Sequence, residues 1–333
     1  MNGDYIMQTM NSTKYAILNE TVDETNNIKD FVKNSYKLKP KELFISELKW
    51  KHLVRNCMRS ENTLMLAPSG TGKTMTAMAL QVALGRPGFV FNLGSTQDAR
   101  STLIGNTSYS PNEGTFFNES EFIKAIKTEN AIIVLDELTR GSDDSWNILM
   151  SVLDDKQRYV RLDEKNNNSI IEVAKGVSFI ATANVGMEYT STKILDKALL
   201  ERFSIIEIDY LDTKQEISLL SMCYPALDKS VIESIAMLAQ DTRNEIKSNY
   251  PKISFAISTR ITKKMAGLVN DGFTYTESAE LAVLPYFSAE SASGNADGVD
   301  SERSYISKLV QTYKPAIYTS KNIFTEEDLK KAF

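Results

Sequence analysis

The sequence predicts an α/β domain built on a five-stranded, mostly parallel sheet, followed by an α-helical region. Three observations carry this. Five short apolar runs, at 62–67, 89–93, 131–135, 177–183 and 204–208, are interleaved with helical or loop stretches. Short runs that are apolar throughout belong to strands covered on both faces, which is the habit of parallel sheets. A glycine-rich turn stands between the first run and a helical stretch, and after Tyr210 the strand-like runs stop. From there 215–222, 229–244, 259–269 and 275–286 show helical spacing.

Length and composition bound the rest. The chain has 333 residues, which at about 150 residues per domain argues for roughly two domains. Hydrophobic residues make up 42% and charged residues 24%, enough to bury a sizeable core. Thirty-eight basic against 43 acidic side chains give a formal charge of −5, which excludes a generally basic nucleic-acid binder and favours a protein client. Two cysteines outside any ligand spacing and a single histidine, His52, exclude His-based zinc sites and leave a Ser-His-Asp triad only if that one residue serves. Chemistry here must therefore run on carboxylates, Lys, Arg, hydroxyls and backbone amides.

Residues 1–40 are polar, with scattered apolar positions, and read as an N-terminal extension. They carry no basic flank followed by an apolar run, no stretch of the chain is long enough to span a bilayer, and unpaired cysteines suit a reducing cytosol, so a cytoplasmic protein without a membrane partner is expected. Leu43, Phe44, Leu48, Leu53 and Val54 predict an amphipathic helix over 41–59. The α/β domain is expected over 41–210 and the helical domain with a C-terminal tail over 211–333. A Ser/Gly/Ala/Asp-rich loop at 288–301 precedes a last helix at 302–313. Cys57, Cys223 and His52 read as packing or solvated-face residues, and Met75 and Met78 as core.

The first strand runs into Ala67-Pro68-Ser69-Gly70-Thr71-Gly72-Lys73-Thr74, ahead of a helix at 75–84. This is the P-loop pattern, with Ala67 at the position of the first glycine. Gly70 and Gly72 let the backbone N–H groups that follow Pro68, from Ser69 to Thr74, turn inward around a phosphate, and the helix N-terminus adds partial positive charge. Lys73 would reach the β- and γ-phosphates, and the Thr74 hydroxyl would ligate Mg²⁺. The third strand ends in Asp136-Glu137. A carboxylate at the carboxyl end of a strand beside a P-loop can hold Mg²⁺ through water, which suits Asp136, and Glu137 could act as general base on the attacking water.

With these two motifs in place, the sequence resembles the AAA+ ATPases, a P-loop NTPase group, and more narrowly their MoxR and dynein-related branch. The resemblance covers 60–212 and extends to 213–270. It implies that Phe179-Ile180-Ala181-Thr182-Ala183-Asn184 is a sensor 1 strand, whose Asn184 orients water against the γ-phosphate. It implies that Arg202, in Leu199-Leu200-Glu201-Arg202-Phe203, is a finger projecting into a neighbouring subunit's site. Ser258-Thr259-Arg260 is similar to sensor 2, with Arg260 on the γ-phosphate in cis and Thr259 where the branch often has proline. Thr139-Arg140 resembles the Asp-Glu-x-x-Arg form of the branch, placing Arg140 near the subunit interface. Two insertions, between Leu103 and Phe122 with Gly105 and Gly114 as turn residues, and between Val160 and Ile171 around an Asn-rich loop, resemble hairpins that face the ring's pore or a partner. The stretch 275–286 followed by Glu302-Arg303-Ser304 is loosely similar to ATPase subunits of the cobaltochelatase type. The resemblance implies ATP and Mg²⁺ as cofactors, a homo-oligomer in the form of a hexameric ring, an α-helical lid domain, and a protein client or a partner with a von Willebrand A domain. Two alternatives stand beside this reading: a GTP- or ATP-driven DNA-linked restriction or translocation motor, and a nucleotide-gated scaffold with little turnover.

Overall fold

A computed structural model of the chain describes residues 24–95, 98–111, 114–162, 169–184, 195–290 and 301–316. Most of the expected 288–301 loop, residues 163–168 of the expected Asn-rich loop, residues 112–113 of the first insertion, and residues 1–23 and 317–333 lie outside the described residues. In chain order the elements are α1 (Glu24–Asn34), α2 (Glu47–Met58), β1 (Thr63–Ala67), α3 (Lys73–Leu84), β2 (Gly88–Asn92), α4 (Ala99–Leu103), β3 (Gly105–Ser110), β4 (Gly114–Glu119), α5 (Glu121–Ile126) and β5 (Ile132–Asp136). There follow α6 (Asp143–Val152), β6 (Tyr159–Leu162), β7 (Ser169–Glu172), β8 (Ser178–Asn184), α7 (Lys197–Leu200) and β9 (Ser204–Glu207). The helical region is α8 (Thr213–Cys223), α9 (Lys229–Glu245), α10 (Thr259–Asn270), α11 (Tyr275–Ala282) and α12 (Glu302–Thr312).

Five strands form one sheet in the order β2-β5-β8-β1-β9, and β5 is parallel to both β2 and β8. Residues 132–135 of β5 and 178–183 of β8 are buried, and only their last residues, Asp136 and Asn184, are half-exposed. Burial on both faces explains why these strands read as unbroken apolar runs, and the polar ends mark where they leave the core. Phe91, Phe122 and Phe179 pack in sequence, with ring centroids 5.3 Å and 6.4 Å apart. Each insertion is an antiparallel hairpin, β3 with β4 and β6 with β7. Gly105 and Gly114 both have positive φ.

The described residues group into two compact units. The first comprises 24–65, 74–183 and 195–206. The second takes 66–73, Asn184, 207–290 and 301–316, so the P-loop segment Leu66–Lys73 groups with the helical region. The second unit has its own apolar core from α8 to α12, including Leu220, Ile235, Ile257, Met265, Tyr275 and Phe287.

Two expectations need correction. Met75 and Met78 are 46% and 49% exposed, and with Val82 they form an outward stripe on α3, while Ala77, Leu80 and Leu84 carry its buried face. Helical periodicity identifies two apolar faces here and gives no means of choosing between them. The helix expected over 41–59 starts at Glu47, where the Ser46 hydroxyl accepts from Lys49 N and caps it, and Leu48 points to solvent. The 1–40 stretch contains the helix α1, which packs on α2, and the Trp50 indole donates to Ser35 O at 2.9 Å.

Candidate active site

The chain leaves β1 at the buried Ala67 and enters α3 at Lys73 through Pro68, Ser69, Gly70, Thr71 and Gly72. Gly70 and Gly72 have φ of 75° and 87°, a left-handed conformation that a Cβ would strain. The Thr71 hydroxyl donates back to Pro68 O at 2.9 Å and closes the turn. The Lys73 ammonium lies inside this turn and donates to Ala67 O at 2.9 Å, Pro68 O at 2.8 Å and Asn184 Oδ1 at 2.7 Å. The strand order explains the last bond, because β8, which ends at Asn184, lies directly beside β1.

Thr74, the next residue, donates its hydroxyl to Asp136 Oδ1 at 2.9 Å. The same carboxylate oxygen accepts from the Thr182 hydroxyl, which also takes the Glu137 backbone N–H at 3.1 Å. Thr182 therefore holds both acids from the neighbouring strand. The sequence reading passed over it, although a Thr inside an apolar run, two residues before Asn184 and hence on the same strand face, was a visible signal. A hydroxyl and a carboxylate oxygen side by side are the hard oxygen donors that Mg²⁺ takes, so Thr74 and Asp136 fit that ion.

Glu137 has φ 57° and ψ 43°. That conformation costs a residue with a side chain about 1–2 kcal/mol, and such cost is characteristic of functional positions. The Arg140 guanidinium lies 3.4 Å from Glu137 Oε2. Gly94 packs against the same pair: a Cβ there would fall 2.3 Å from Glu137 Oε2 and 3.2 Å from the Arg140 side chain. Asn92, the β2 residue in register with Asp136, fixes this turn by accepting from Gly94 N at 2.8 Å.

In the second unit, Gly70 lies against the start of α10. A Cβ on Gly70 would meet Ser258 Cβ and Oγ at 2.7 Å and Arg260 Cβ at 3.7 Å. Arg260 itself is exposed.

Arg202 is differently placed. It donates to Met150 O at 2.9 Å and Ala198 O at 2.6 Å, and pairs with Asp154 Oδ2 at 3.1 Å. The backbone N–H groups of Lys156 and Gln157 hold the Asp154 carboxyl below its usual range, and the Arg202 charge adds to this. Among the described residues none of Arg202's hydrogen bonds goes to another predicted site residue. The structure thus joins Lys73 to Asn184, Thr74 to Asp136, Glu137 to Arg140 and Gly70 to the Arg260 turn, and leaves Arg202 apart.

The Cys57 thiol is buried and burial pushes it up to about 12, whereas Cys223 is exposed. Among the described residues no helix is long and apolar enough to cross a membrane.

Residues 62–203 match the family described as AAA domain (dynein-related subfamily). The chain is 29% identical over 191 residues to an uncharacterised protein of Staphylococcus saprophyticus, covering 56% of this chain and 70% of that one. An uncharacterised protein of Staphylococcus haemolyticus matches at the same identity and coverage. "Putative chaperone BssE" of Thauera aromatica is 28% identical over 217 residues, which is 65% of this chain and 72% of that protein. The fold agrees with the match: an α/β P-loop NTPase core with a parallel five-stranded sheet, and a helical region after it. AAA domains are in general ATPases that bind ATP with Mg²⁺ and typically work as oligomeric rings.

Proposed function

We propose that this chain, whose residues 62–203 carry an AAA domain of the dynein-related subfamily, hydrolyses ATP in a ring of identical subunits and uses the cycle to remodel a partner protein. The observation that carries the reading is the link from Thr74 to Asp136, with Thr182 bonded to Asp136 and to the Glu137 backbone. It joins the hydroxyl at the start of the P-loop helix to the Asp136 carboxylate, with Glu137 the next residue along the chain. In this reading the turned-in P-loop backbone of 68–74 and Lys73 bind the phosphates, and Glu137 takes a proton from the attacking water. Mg²⁺, held by Thr74 and Asp136, would neutralise charge on the phosphate oxygens. Asn184 orients the water, and Arg260 acts on the γ-phosphate in cis.

A ring, expected to be hexameric, follows from Arg202, whose role needs a neighbouring subunit's site. The outward stripe of Met75, Met78 and Val82 on α3 supports a subunit contact, since apolar groups in a row on a surface favour burial. The chaperone name of the Thauera relative supports a protein client, and MoxR-like remodelling, with a von Willebrand A-domain partner, is the form we favour.

The experiment is ATP turnover by the wild type and by Glu137→Gln, at protein concentrations spanning assembly, with the oligomer followed by light scattering. The wild type should turn over ATP more per subunit as it assembles. Glu137→Gln should keep ATP binding and lose about 10²–10⁴-fold in kcat, the range of a general base. Equal turnover by the two proteins would sink the assignment, and turnover independent of concentration would sink the ring.

A further inference from the structure

The helical unit buries an ion pair that the proposed chemistry does not use. Glu216 on α8 is fully buried and Arg243 on α9 is 2% exposed, with Arg243 Nη1 3.0 Å from Glu216 Oε2. A buried pair gives little net stability, because desolvating two charges offsets their attraction. What it gives here is direction. Glu216 Oε2 also accepts from the Thr259 hydroxyl at 3.0 Å, and Oε1 accepts from the Thr262 hydroxyl, so both carboxylate oxygens grip the first turn of α10. Arg243 donates to Ile257 O at 3.0 Å, just before that turn, and to Leu211 O at 2.8 Å, in the segment that enters the helical unit. Its guanidinium also stacks over Tyr210, 5.0 Å from the ring centroid.

The turn held in this way is the one that touches the P-loop. Ser258 is 5% exposed and stands at the N-cap of α10, yet its hydroxyl makes no capping bond, and it packs on Gly70. Arg260 follows two residues on, its Cβ also against Gly70. The carboxylate that fixes Thr259 therefore fixes the residue between the two that meet the phosphate loop.

We propose that the buried Glu216–Arg243 pair is the positioning element that registers Ser258 and Arg260 on Gly70 of the P-loop, and so sets the affinity for a nucleoside triphosphate. The proposal rests on the ATPase reading. Neither charged residue touches nucleotide; both act through the α10 turn. The entry segment at Leu211 is bonded to the same guanidinium, so it is registered with that turn.

The test uses the full chain and a slowly hydrolysed ATP analogue, with the dissociation constant read by fluorescence and folding read by thermal melting. Thr259→Val removes one bond to Glu216 at nearly constant volume. It should weaken the analogue about tenfold, the worth of one hydrogen bond to a charged group. Thr259→Ser should restore the affinity. In an Arg260→Ala background Thr259→Val should have little further effect, because both changes act through one contact. Glu216→Gln should weaken binding at least as much, and Thr259→Val keeps the proposal testable if Glu216→Gln fails to fold. A Thr259→Val protein with wild-type affinity, or one whose loss adds fully to that of Arg260→Ala, overturns the proposal. Failure of the wild type to bind the analogue would instead overturn the ATPase reading on which it rests.

Discussion

The Lys73 ammonium donates to Asn184 Oδ1 at 2.7 Å, so the lysine assigned to phosphate is bonded to the residue assigned to water. Lys73 is 8% exposed, and two P-loop carbonyls also accept from it. Bonds from an ammonium are among the stronger ones a protein makes. In the proposed function an arriving phosphate would exchange for them, and as Lys73 turned to it the Asn184 amide would be released at the tip of β8.

Asn184→Ala is therefore expected to separate binding from chemistry. The competing acceptor is gone, so KM for ATP should stay the same or fall. Loss of the water-orienting amide should lower kcat about 10²-fold, as removal of one preorganised polar group does. Steady-state kinetics checks this, and a variant with raised KM and unchanged kcat would contradict it.

Gly94 should act on turnover without acting on folding. Its φ is outside the left-handed region, so alanine fits the backbone, but the new Cβ falls 2.3 Å from Glu137 Oε2. The flexible carboxylate will move, and a misplacement of about 1 Å can cost on the order of 10²-fold in rate. Gly94→Ala should thus lose at least about tenfold in kcat, while stability changes by less than about 1 kcal/mol. Melting curves beside turnover measure the two effects separately.

For Arg202 the expectation concerns a mixture. Arg202→Ala alone should lose about 10³-fold in kcat, the smaller end of what an arginine finger supplies. Mixed with Glu137→Gln, which lacks the base and keeps the arginine, activity should return in part, because the donor comes from the neighbour. Full activity of Arg202→Ala by itself would mean that its bonds to Asp154, Met150 and Ala198 are its whole role.

The helical unit should lose stability in alkali. Tyr313 donates to Asp241 and Tyr305 to Glu245. Its hydrogen bond to Asp241, burial and the carboxylate charge push the Tyr313 hydroxyl up to about 12, and burial followed by the bond to Glu245 does the same for Tyr305. A group whose folded pKa is raised contributes stability that is complete below its unfolded value, about 10, and is lost as pH rises through the folded one. The melting temperature should therefore fall between pH 10 and 12. Replacing both tyrosines by phenylalanine should flatten that fall, which melting curves across the range will show.

Much of the site was legible from particular residues. Gly70 and Gly72 announced their left-handed backbone, and the polar ends of two apolar runs, Asp136 and Asn184, announced the carboxyl edge of the sheet. All five strands lie within about a residue of the apolar runs that predicted them. Burial on both faces writes that pattern for β1, β5 and β8, whereas the edge strands β2 and β9 are apolar but largely exposed or half-exposed. Thr182, Gly94 and the Glu216–Arg243 pair were missed. Their roles depend on neighbours 45, 43 and 27 residues away in the chain, and no local pattern encodes such a partner. Met75 and Met78 were misread because apolar periodicity does not say which face meets the sheet.

By itself the sequence determined the elements on which the proposed chemistry rests, since a P-loop and an acid-tipped strand are local patterns with local physical causes. Only the tertiary structure decided the strand order β2-β5-β8-β1-β9, which sets Thr182 on the strand beside Asp136 and Glu137 and Asn184 beside the P-loop. It alone decided that Arg202 is bonded within its own chain and that a buried glutamate holds the turn of α10 against Gly70. The physical reason is common to these cases: hydrogen bonds and ion pairs between distant segments act over about 3 Å, and the segments come that close only after the core has packed.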